Sequence, residues 1–279
     1  MKLAVLSGKG GTGKTFVSVN LAAAAEKAAY IDCDVEEPNG RLFLKPEGCR
    51  ETPVCTALPS FDSDKCTGCR KCAEFCRFNA LIFIKGRPVV FPEICHSCGG
   101  CAMVCPEGAI SESERPVGLV ELGRHKNAAV VTGVLNTGEV SAVPVIKAAL
   151  AAGLDAGGLA VIDCPPGSGC SVMESVSAAD RCLIVAEPTA FGLHNFKMVS
   201  ELTALLGKPR YAVINKSEGR YPPLEDYCAG AGIPVALRIP YSAELAHMGA
   251  EAKIACEEDP RYMAMFSQLL ARVRGEAAT

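Results

Sequence analysis

Eight cysteines between positions 66 and 105 form two runs with the same spacing, and this duplication constrains the fold more than any other feature of the sequence. Shifting the first run by 29 residues (66 to 95) reproduces the second, and the likeness continues from Ala80-Leu81 to Ala109-Ile110. Such a repeat predicts two copies of one small structural unit. The two runs are Cys66, Cys69, Cys72 and Cys76, then Cys95, Cys98, Cys101 and Cys105.

Each run reads C-x₂-C-x₂-C-x₃-C, the spacing with which bacterial ferredoxins hold two [4Fe–4S] clusters, the fourth cysteine of each run binding the other cluster. We therefore expect two [4Fe–4S] clusters with crossed ligands. A zinc module is the alternative, but zinc sites usually pair two C-x₂-C units across a longer gap, so the duplicated pattern favours clusters. The first predicted ligand set is Cys66, Cys69, Cys72 and Cys105, and the second is Cys95, Cys98, Cys101 and Cys76.

The chain has 16 cysteines, and their number bears on the cellular compartment. The first residues offer only a short apolar run, and no stretch approaches the roughly 20 apolar residues of a membrane span. We therefore expect a cytoplasmic protein without stable membrane anchoring, whose clustered cysteines bind metal and do not form disulfides. With 28 Lys+Arg against 31 Asp+Glu, the formal net charge of −3 gives no sign of a nucleic-acid partner.

A glycine-rich loop follows the first short apolar segment and fits the pattern G-x-x-x-x-G-K-[ST]. In such a loop the backbone N–H groups turn inward and form an anion site at the start of a helix. Lys14 is placed to reach the β- and γ-phosphates of ATP or ADP, and the Thr15 hydroxyl to bind Mg²⁺. We expect the nucleotide to contact Gly8, Lys9, Gly10, Gly11, Thr12, Gly13, Lys14 and Thr15.

Short apolar segments alternate with helical stretches along most of the remaining chain, which predicts a mostly parallel sheet covered by helices on both faces. No regular element is predicted between Asp34 and Ser60. The predicted architecture is an α/β P-loop NTPase domain, formed by residues 1–57 and 113–279, with an inserted small α+β domain of bacterial ferredoxin type at 58–112. Residues 1–57 are too few to bury a core of their own.

Lys9, directly after the first glycine, is where the sequence begins to resemble the MinD/ParA/nitrogenase-iron-protein class of P-loop ATPases, with its K-G-G-x-G-K-[ST] loop. Two further segments are similar to the first and second switches of that class. Two more fall at family positions, so the resemblance covers nearly all of the chain outside the cysteine segment. The segments are Asp32-Cys33-Asp34, Asp163-Cys164-Pro165-Pro166-Gly167, Glu187-Pro188-Thr189 and Ile214-Asn215-Lys216.

The resemblance implies a nucleotide-dependent dimer, homo- or heteromeric, in which Lys9 reaches the partner's ATP. It implies that Asp34 orients the attacking water and that Asp163 holds Mg²⁺ through water, together with Thr15. Asn215 would contact adenine. The implied catalytic residues are Lys9, Lys14, Asp34 and Asp163. For Asp32, a structural role at the strand end is at least as good an interpretation as a catalytic one.

Cys170 lies seven residues after Asp163, where the nitrogenase iron protein has a cysteine that helps to bridge two subunits through one cluster. The bridge needs a second cysteine before the helix predicted at 141–152, and the segment 132–138 has none, so a bridging cluster is disfavoured. The seven other cysteines outside the two runs are interpreted as packed thiols.

The sequence as a whole resembles MinD-superfamily ATPases with an inserted ferredoxin domain. It predicts a Mg²⁺-dependent ATPase in which the nucleotide controls electron transfer to, or docking with, a partner redox or metal-cofactor protein. A metal-cofactor assembly or positioning ATPase with structural clusters is the alternative. A cobyrinic-acid diamide synthase is a weaker one, because that chemistry needs a glutaminase domain for which no chain remains.

Overall fold

The computed structural model describes residues 1–154 and 157–275. Eleven strands lie in these residues, nine of them in one sheet, while β4 and β5 form a separate hairpin. The strands are β1 (Lys2–Leu6), β2 (Ala28–Asp32), β3 (Glu47–Phe61), β4 (Leu81–Ile84), β5 (Arg87–Val90), β6 (Ile110–His125), β7 (Ala128–Leu135), β8 (Leu159–Asp163), β9 (Arg181–Ala186), β10 (Arg210–Ser217) and β11 (Val235–Pro240).

The large sheet has the strand order β11-β10-β9-β1-β8-β2-β7-β6-β3. The seven strands from β11 to β7 are parallel, and β6 and β3 are added antiparallel at one edge. Every residue of β2 and β8 is buried, as expected for parallel strands covered on both faces. The predicted α/β fold with a mostly parallel sheet is confirmed.

Helices cover both faces of this sheet and separate two apolar cores. One core lies under α5 to α8 and contains Val145, Val172 and Phe196, and the other lies under α1 and α11 and contains Leu21 and Phe266. The helices are α1 (Lys14–Ala24), α2 (Gly40–Leu44), α3 (Lys71–Phe75), α4 (Gly100–Met103), α5 (Val143–Gly153), α6 (Cys170–Ser177), α7 (Ala190–Leu205), α8 (Pro222–Gly230), α9 (Ala243–Ala250), α10 (Ala255–Glu258) and α11 (Pro260–Arg274).

Strands β3 and β6 form a long antiparallel ribbon that leads away from the parallel sheet. Their pairing extends from Glu47 opposite Arg124 to Phe61 opposite Ile110. The expectation of irregular chain up to Ser60 is therefore wrong, because β3 already begins at Glu47. Strand β3 is an edge strand, mostly exposed and containing prolines that an edge position tolerates, so it lacks the apolar alternation by which a strand is recognised.

The segment at the end of the ribbon repeats its own backbone. Asp62 N donates to Ala109 O and Phe91 N donates to Ala80 O, both over 2.8 Å, and the two bonds are related by the 29-residue shift of the sequence repeat. Helices α3 and α4 occupy corresponding positions. Three pairs of equivalent residues share a positive φ angle: Gly68 and Ser97, Arg70 and Gly99, and Asn79 and Gly108.

Among the described residues, no helix combines the length and the apolar character that crossing a membrane requires.

Candidate functional site

The glycine-rich loop connects β1 to α1 at the carboxyl end of the parallel strands. Gly13 precedes α1 with a φ of 92°, a conformation that a side chain would disfavour. Close packing excludes a side chain at Gly8, because a Cβ there would lie 2.5 Å from Asn195 O. Three loop residues therefore need glycine for reasons that are visible in the fold: Gly8, Gly11 (φ 77°) and Gly13.

Lys14, the first residue of α1, lies between two acidic side chains. Its Nζ is 2.9 Å from Asp163 Oδ1 and 3.3 Å from Asp34 Oδ2. Burial by itself would lower the pKa of Lys14, but the carboxylates of Asp163 and Asp34 outweigh it and raise the pKa above its usual value. The structure thus brings together three of the predicted catalytic residues around one ammonium group.

Tyr30 supports this group and was not recognised from the sequence. Its hydroxyl donates to Asp163 Oδ2 over 2.8 Å and lies 3.3 Å from Asp32 Oδ2. Asp32 accepts from Gly40 N (3.0 Å) and Asp34 N (3.2 Å), so it fixes the start of α2 and the first switch, which is a structural role. Burial and the nearby Asp163 raise the pKa of Asp32. A tyrosine within an apolar strand gives no sequence signal of such a role.

Lys9, the other lysine of the loop, contacts Glu187 and not the aspartates around Lys14. Its Nζ forms an ion pair with Glu187 Oε2, while Lys216 Nζ lies 2.7 Å from Glu187 Oε1 and donates to Gly11 O over 2.8 Å. Partial burial opposes ionisation of Glu187, but the hydrogen bonds from Lys216 and Lys9 outweigh it and lower its pKa. The two lysines and Glu187 thus form a bridge across the outside of the glycine-rich loop.

An open cavity lies over the glycine-rich loop and extends between the segments 33–37 and 165–166. Its wall includes Lys14, Thr15, Asp34, Pro165 and Ala142. Thr12 Oγ1, within the loop, is buried without a hydrogen-bond partner, although buried polar groups in proteins are normally paired. The glycine-rich loop, Lys14, the Thr15 hydroxyl and Asp34 are groups of the kind that bind a Mg²⁺–nucleotide, and Asp163 lies behind Lys14.

A smaller and more apolar cavity adjoins the first one beyond Gly13. Phe16, Tyr241 and Leu245 line it together with Asn215. The Asn215 side chain is 6% exposed and its Nδ2 donates to Thr12 O over 2.7 Å. An apolar slot with one amide beside a phosphate-binding loop has the character of a site for a nucleobase.

Two further cavities lie in the segment at the end of the ribbon, and each is bordered by cysteines from both runs. The cavity nearer the sheet, called the proximal cavity, is also bordered by Ala57, Pro59 and Glu112, and the other, called the distal cavity, by Phe61 and Ile110. The cysteines are Cys95, Cys98, Cys101 and Cys76 at the proximal cavity, and Cys66, Cys69, Cys72 and Cys105 at the distal cavity.

The cysteines border a space and do not meet at a point. Within the described residues, no three His, Cys, Asp or Glu side chains converge closely enough to hold a single metal ion. A [4Fe–4S] cluster binds its four thiolates through four different irons, so ligands set around a cavity fit it. Burial, with Cys69 and Cys105 nearby, raises the pKa of the Cys72 thiol.

The root of the ribbon contacts the loop that follows β7. Arg115 on β6 binds Glu139 through two hydrogen bonds of 2.6 and 2.5 Å, and these bonds raise the pKa of Arg115. Asn136 N donates to Val117 O over 3.0 Å. The same loop leads to Ala142 in the wall of the cavity over the glycine-rich loop, so one short segment contacts both the ribbon and that cavity.

The remaining cysteines divide into buried and exposed groups. Cys170, the first residue of α6, is exposed. The expectation that the other seven cysteines are packed thiols is wrong for Cys49 and Cys55, which are exposed on the edge strand β3. Five are buried as expected: Cys33, Cys164, Cys182, Cys228 and Cys256.

The fold and the loop that binds phosphate define a P-loop nucleotide-binding domain. The chain belongs to the CobQ/CobB/MinD/ParA nucleotide-binding domain family, whose model matches residues 3–254. Among characterised folds, the chain is similar to the cell division ATPase MinD of Pyrococcus furiosus, with a TM-score of 0.60 and 19% identity over 99% of each chain. MinD of Pyrococcus horikoshii complexed with Mg-ADP gives a TM-score of 0.59 at 18% identity, covering 98% of this chain and 95% of that one.

Two proteins of Methanocaldococcus jannaschii are similar in sequence. An uncharacterised protein is 28% identical over 227 residues, which are 77% of this chain and 80% of that protein. An uncharacterised ferredoxin is 40% identical over 53 residues, which are 18% of this chain and 69% of the ferredoxin.

Proposed function

We propose that this chain is a Mg²⁺-dependent ATPase in which the nucleotide controls an inserted module with two [4Fe–4S] clusters, and through it electron transfer to, or docking with, a partner metalloprotein. The proposal depends above all on the ribbon β3–β6. This ribbon joins the sheet that carries the phosphate-binding loop to a duplicated unit with two cysteine-bordered cavities.

The residues around the cavity over the glycine-rich loop, called the nucleotide cavity from here on, would supply the groups that ATP hydrolysis needs. The loop amides and Lys14 would bind the phosphates, and Thr15 and Asp163 would hold Mg²⁺, which neutralises phosphate charge when bound. Tyr30 keeps Asp163 in position through its hydroxyl. Asp34 has a carboxylate at the mouth of the cavity that would orient the attacking water. Asn215 would contact the base.

The cysteine cavities are proposed to hold one [4Fe–4S] cluster each, with the crossed ligand sets predicted from the sequence. Such clusters supply one-electron chemistry when bound. The partial match to an uncharacterised ferredoxin supports an iron–sulfur role for part of the chain. A four-thiol border around each cavity supports clusters over single zinc ions, whose four ligands must meet at about 2.3 Å from one atom.

Coupling between the two sites would follow a short chain of contacts. Val35, next to Asp34, accepts a hydrogen bond from Leu135 N over 2.9 Å, and the adjacent Asn136 is bonded to the root of β6. A movement of the segment around Asp34 on nucleotide binding would therefore be passed through Leu135 and Asn136 to the ribbon. We further propose that this change accompanies a nucleotide-dependent dimer, homo- or heteromeric, in which Lys9 leaves Glu187 for the partner's nucleotide.

Stopped-flow oxidation of the reduced clusters tests the proposal directly. Anaerobically prepared protein is mixed with a one-electron acceptor without nucleotide, with Mg-ADP and with Mg-ATP. We expect the oxidation rate to depend on the nucleotide in the wild type but not in a Lys14→Ala variant with the same iron content. Rates that are identical under all three conditions in the wild type would contradict the proposal.

A metal-cofactor assembly or positioning ATPase with structural clusters is the second candidate, favoured by the full-length fold match to MinD. Measured reduction potentials separate the two. Low, reversible potentials support electron transfer, whereas clusters that cannot be reduced without loss of fold support a structural role.

A further inference from the structure

The two halves of the cysteine module share a backbone but differ sharply in charge. Under the 29-residue shift, every lysine and arginine of 61–90 corresponds to a neutral or acidic residue. The second repeat adopts the same main chain at the equivalents of Lys65, Arg70, Lys71 and Arg77 without these charges, so the fold does not require them there. Lys85 and Arg87 belong to the β4–β5 hairpin, which the second repeat replaces with the long strand β6. The pairs are Lys65 and Ile94, Arg70 and Gly99, Lys71 and Gly100, Arg77 and Pro106, Lys85 and Glu114, and Arg87 and Pro116.

Contacts join two of these cations to the β4–β5 hairpin, and one of the two, Arg70, borders the distal cavity. The Arg70 guanidinium lies over the Phe83 ring, 5.8 Å from its centre, and both residues border that cavity. Arg87 donates to Ser63 Oγ over 3.5 Å, which joins the β4–β5 hairpin to the first cysteine loop. Lys85 lies in the turn of the same hairpin, so the basic face consists of Arg70, Lys85 and Arg87, all exposed, whereas Lys65 is ion-paired with Asp62 over 3.2 Å.

Arg70 occupies a backbone conformation that favours glycine. Its φ is 65°, and its equivalent in the second repeat, Gly99, has a φ of 71°. A glycine at position 70 would adopt this turn without conformational cost, so an arginine there is explained by its side chain and not by the fold. Lys85, in the hairpin turn, also has a positive φ of 50°.

The outer face of the hairpin places apolar side chains beside these cations. Register pairs Ile82 with Val89 and Ile84 with Arg87, and all four side chains are exposed, Ile84 by 50%. An apolar centre with a charged rim is typical of a protein–protein interface. A surface for phosphate groups alone would have no use for the three aliphatic side chains.

We propose that the basic face and the adjoining hairpin are the docking surface for a small acidic electron-carrier protein. The inference rests on the proposed function, in which the module exchanges electrons with a partner. Exchange moves one electron between carrier and module, so one protein is oxidised and the other reduced by one electron, and no bond forms or breaks. Positive charge at the surface would steer an acidic carrier to the distal cavity.

Binding of an acidic plant-type [2Fe–2S] ferredoxin to the iron-loaded protein provides the test. Dissociation constants are measured at several salt concentrations for the wild type and for a Lys85→Glu/Arg87→Glu variant. The matched control is Arg50→Glu/Arg124→Glu, which makes the same change of net charge at exposed positions in the part of β3 and β6 that joins the large sheet. We expect Kd to rise at least about tenfold in the test variant and little in the control.

Equal Kd values for the test and control variants would overturn the inference. So would salt-independent binding, absence of binding to the wild type, or equally tight binding of the basic protein cytochrome c. A Lys85→Gln/Arg87→Gln variant, with iron content and circular dichroism as checks, replaces the first if that one fails to fold or to bind iron. A wild type that binds no iron would instead overturn the proposed function, so the two failures are distinguishable.

Discussion

The hydroxyl of Tyr30 donates a hydrogen bond of 2.8 Å to Asp163 Oδ2, across the two adjacent parallel strands β2 and β8. The other oxygen of Asp163 is 2.9 Å from Lys14 Nζ. The carboxylate that is proposed to hold Mg²⁺ is thus fixed at both oxygens, and an apolar strand provides one of the two partners. Contacts within the chain therefore set its orientation.

Replacing Tyr30 by phenylalanine should therefore weaken both the fold and the site. The variant leaves a buried carboxylate oxygen without its donor, which costs about 1–3 kcal/mol of unfolding free energy. Denaturant unfolding measures this loss, and Mg-ATPase assays should show a lower kcat because Asp163 is less well oriented. Tyr211→Phe is the control, since the Tyr211 hydroxyl accepts a hydrogen bond from Arg181 and does not contact Asp163. Wild-type stability and activity in Tyr30→Phe would contradict the role.

Glu187 should make the ion-paired bridge with Lys9 and Lys216 sensitive to acid. The pKa of its carboxyl is lowered in the folded protein, so the bridge stabilises the fold above the ordinary value of 4.5 and the benefit is lost as pH falls through the folded pKa. We expect Glu187→Gln to be less stable than the wild type at pH 7 by about 1 kcal/mol or less. Thermal unfolding from pH 7 to pH 3 should show this difference shrink towards zero. A constant difference would argue against the ion pairs.

The Arg115–Glu139 pair should transmit the nucleotide state to the ribbon. Glu139→Gln removes the charge of a contact that joins β6 to the loop entering the nucleotide cavity, and we expect the nucleotide effect on cluster oxidation to fall. The coupling free energy between two sites of a protein is typically about 1–3 kcal/mol, which corresponds to a change in affinity of roughly 5–150-fold. Hydrogen exchange of β3 with and without Mg-ATP gives a second readout that needs no iron. Lys147→Gln, which removes an exposed ion pair with Glu174, is the control. Undiminished coupling in Glu139→Gln would exclude this route.

The crossed ligand sets predict which cluster each cysteine variant affects. Cys105→Ser should perturb the cluster at the distal cavity, and Cys76→Ser the cluster at the proximal cavity, although each residue belongs by sequence to the other run. Iron analysis and electron paramagnetic resonance should show one altered cluster signal in each variant. Cys49→Ser and Cys55→Ser should retain the full iron content, because these exposed thiols lie on the ribbon. If Cys105→Ser instead altered the cluster at the proximal cavity, and Cys76→Ser the cluster at the distal cavity, each cluster would be bound by the four cysteines of one run.

The sequence was sufficient to predict the parallel sheet and the phosphate-binding loop, because buried strands and fixed glycine spacings are local signals. Strand β3 was missed because it is stabilised by pairing with β6 and not by an apolar face. Most of its pairing partners lie more than fifty residues later in the sequence. Tyr30 was missed because only the fold brings its hydroxyl to Asp163. The partner of Lys9 was missed for the same reason, since Glu187 follows a distant strand.

The place of the ribbon in the chain also determines the order in which the protein is made. Strand β2 lies between β7 and β8, and both are synthesised after the whole cysteine module. During translation, the eight cysteines therefore leave the ribosome before the strand that ends in Asp163 exists. Insertion of the proposed clusters can therefore precede closure of the sheet that carries the glycine-rich loop, and so precede any proposed binding of ATP.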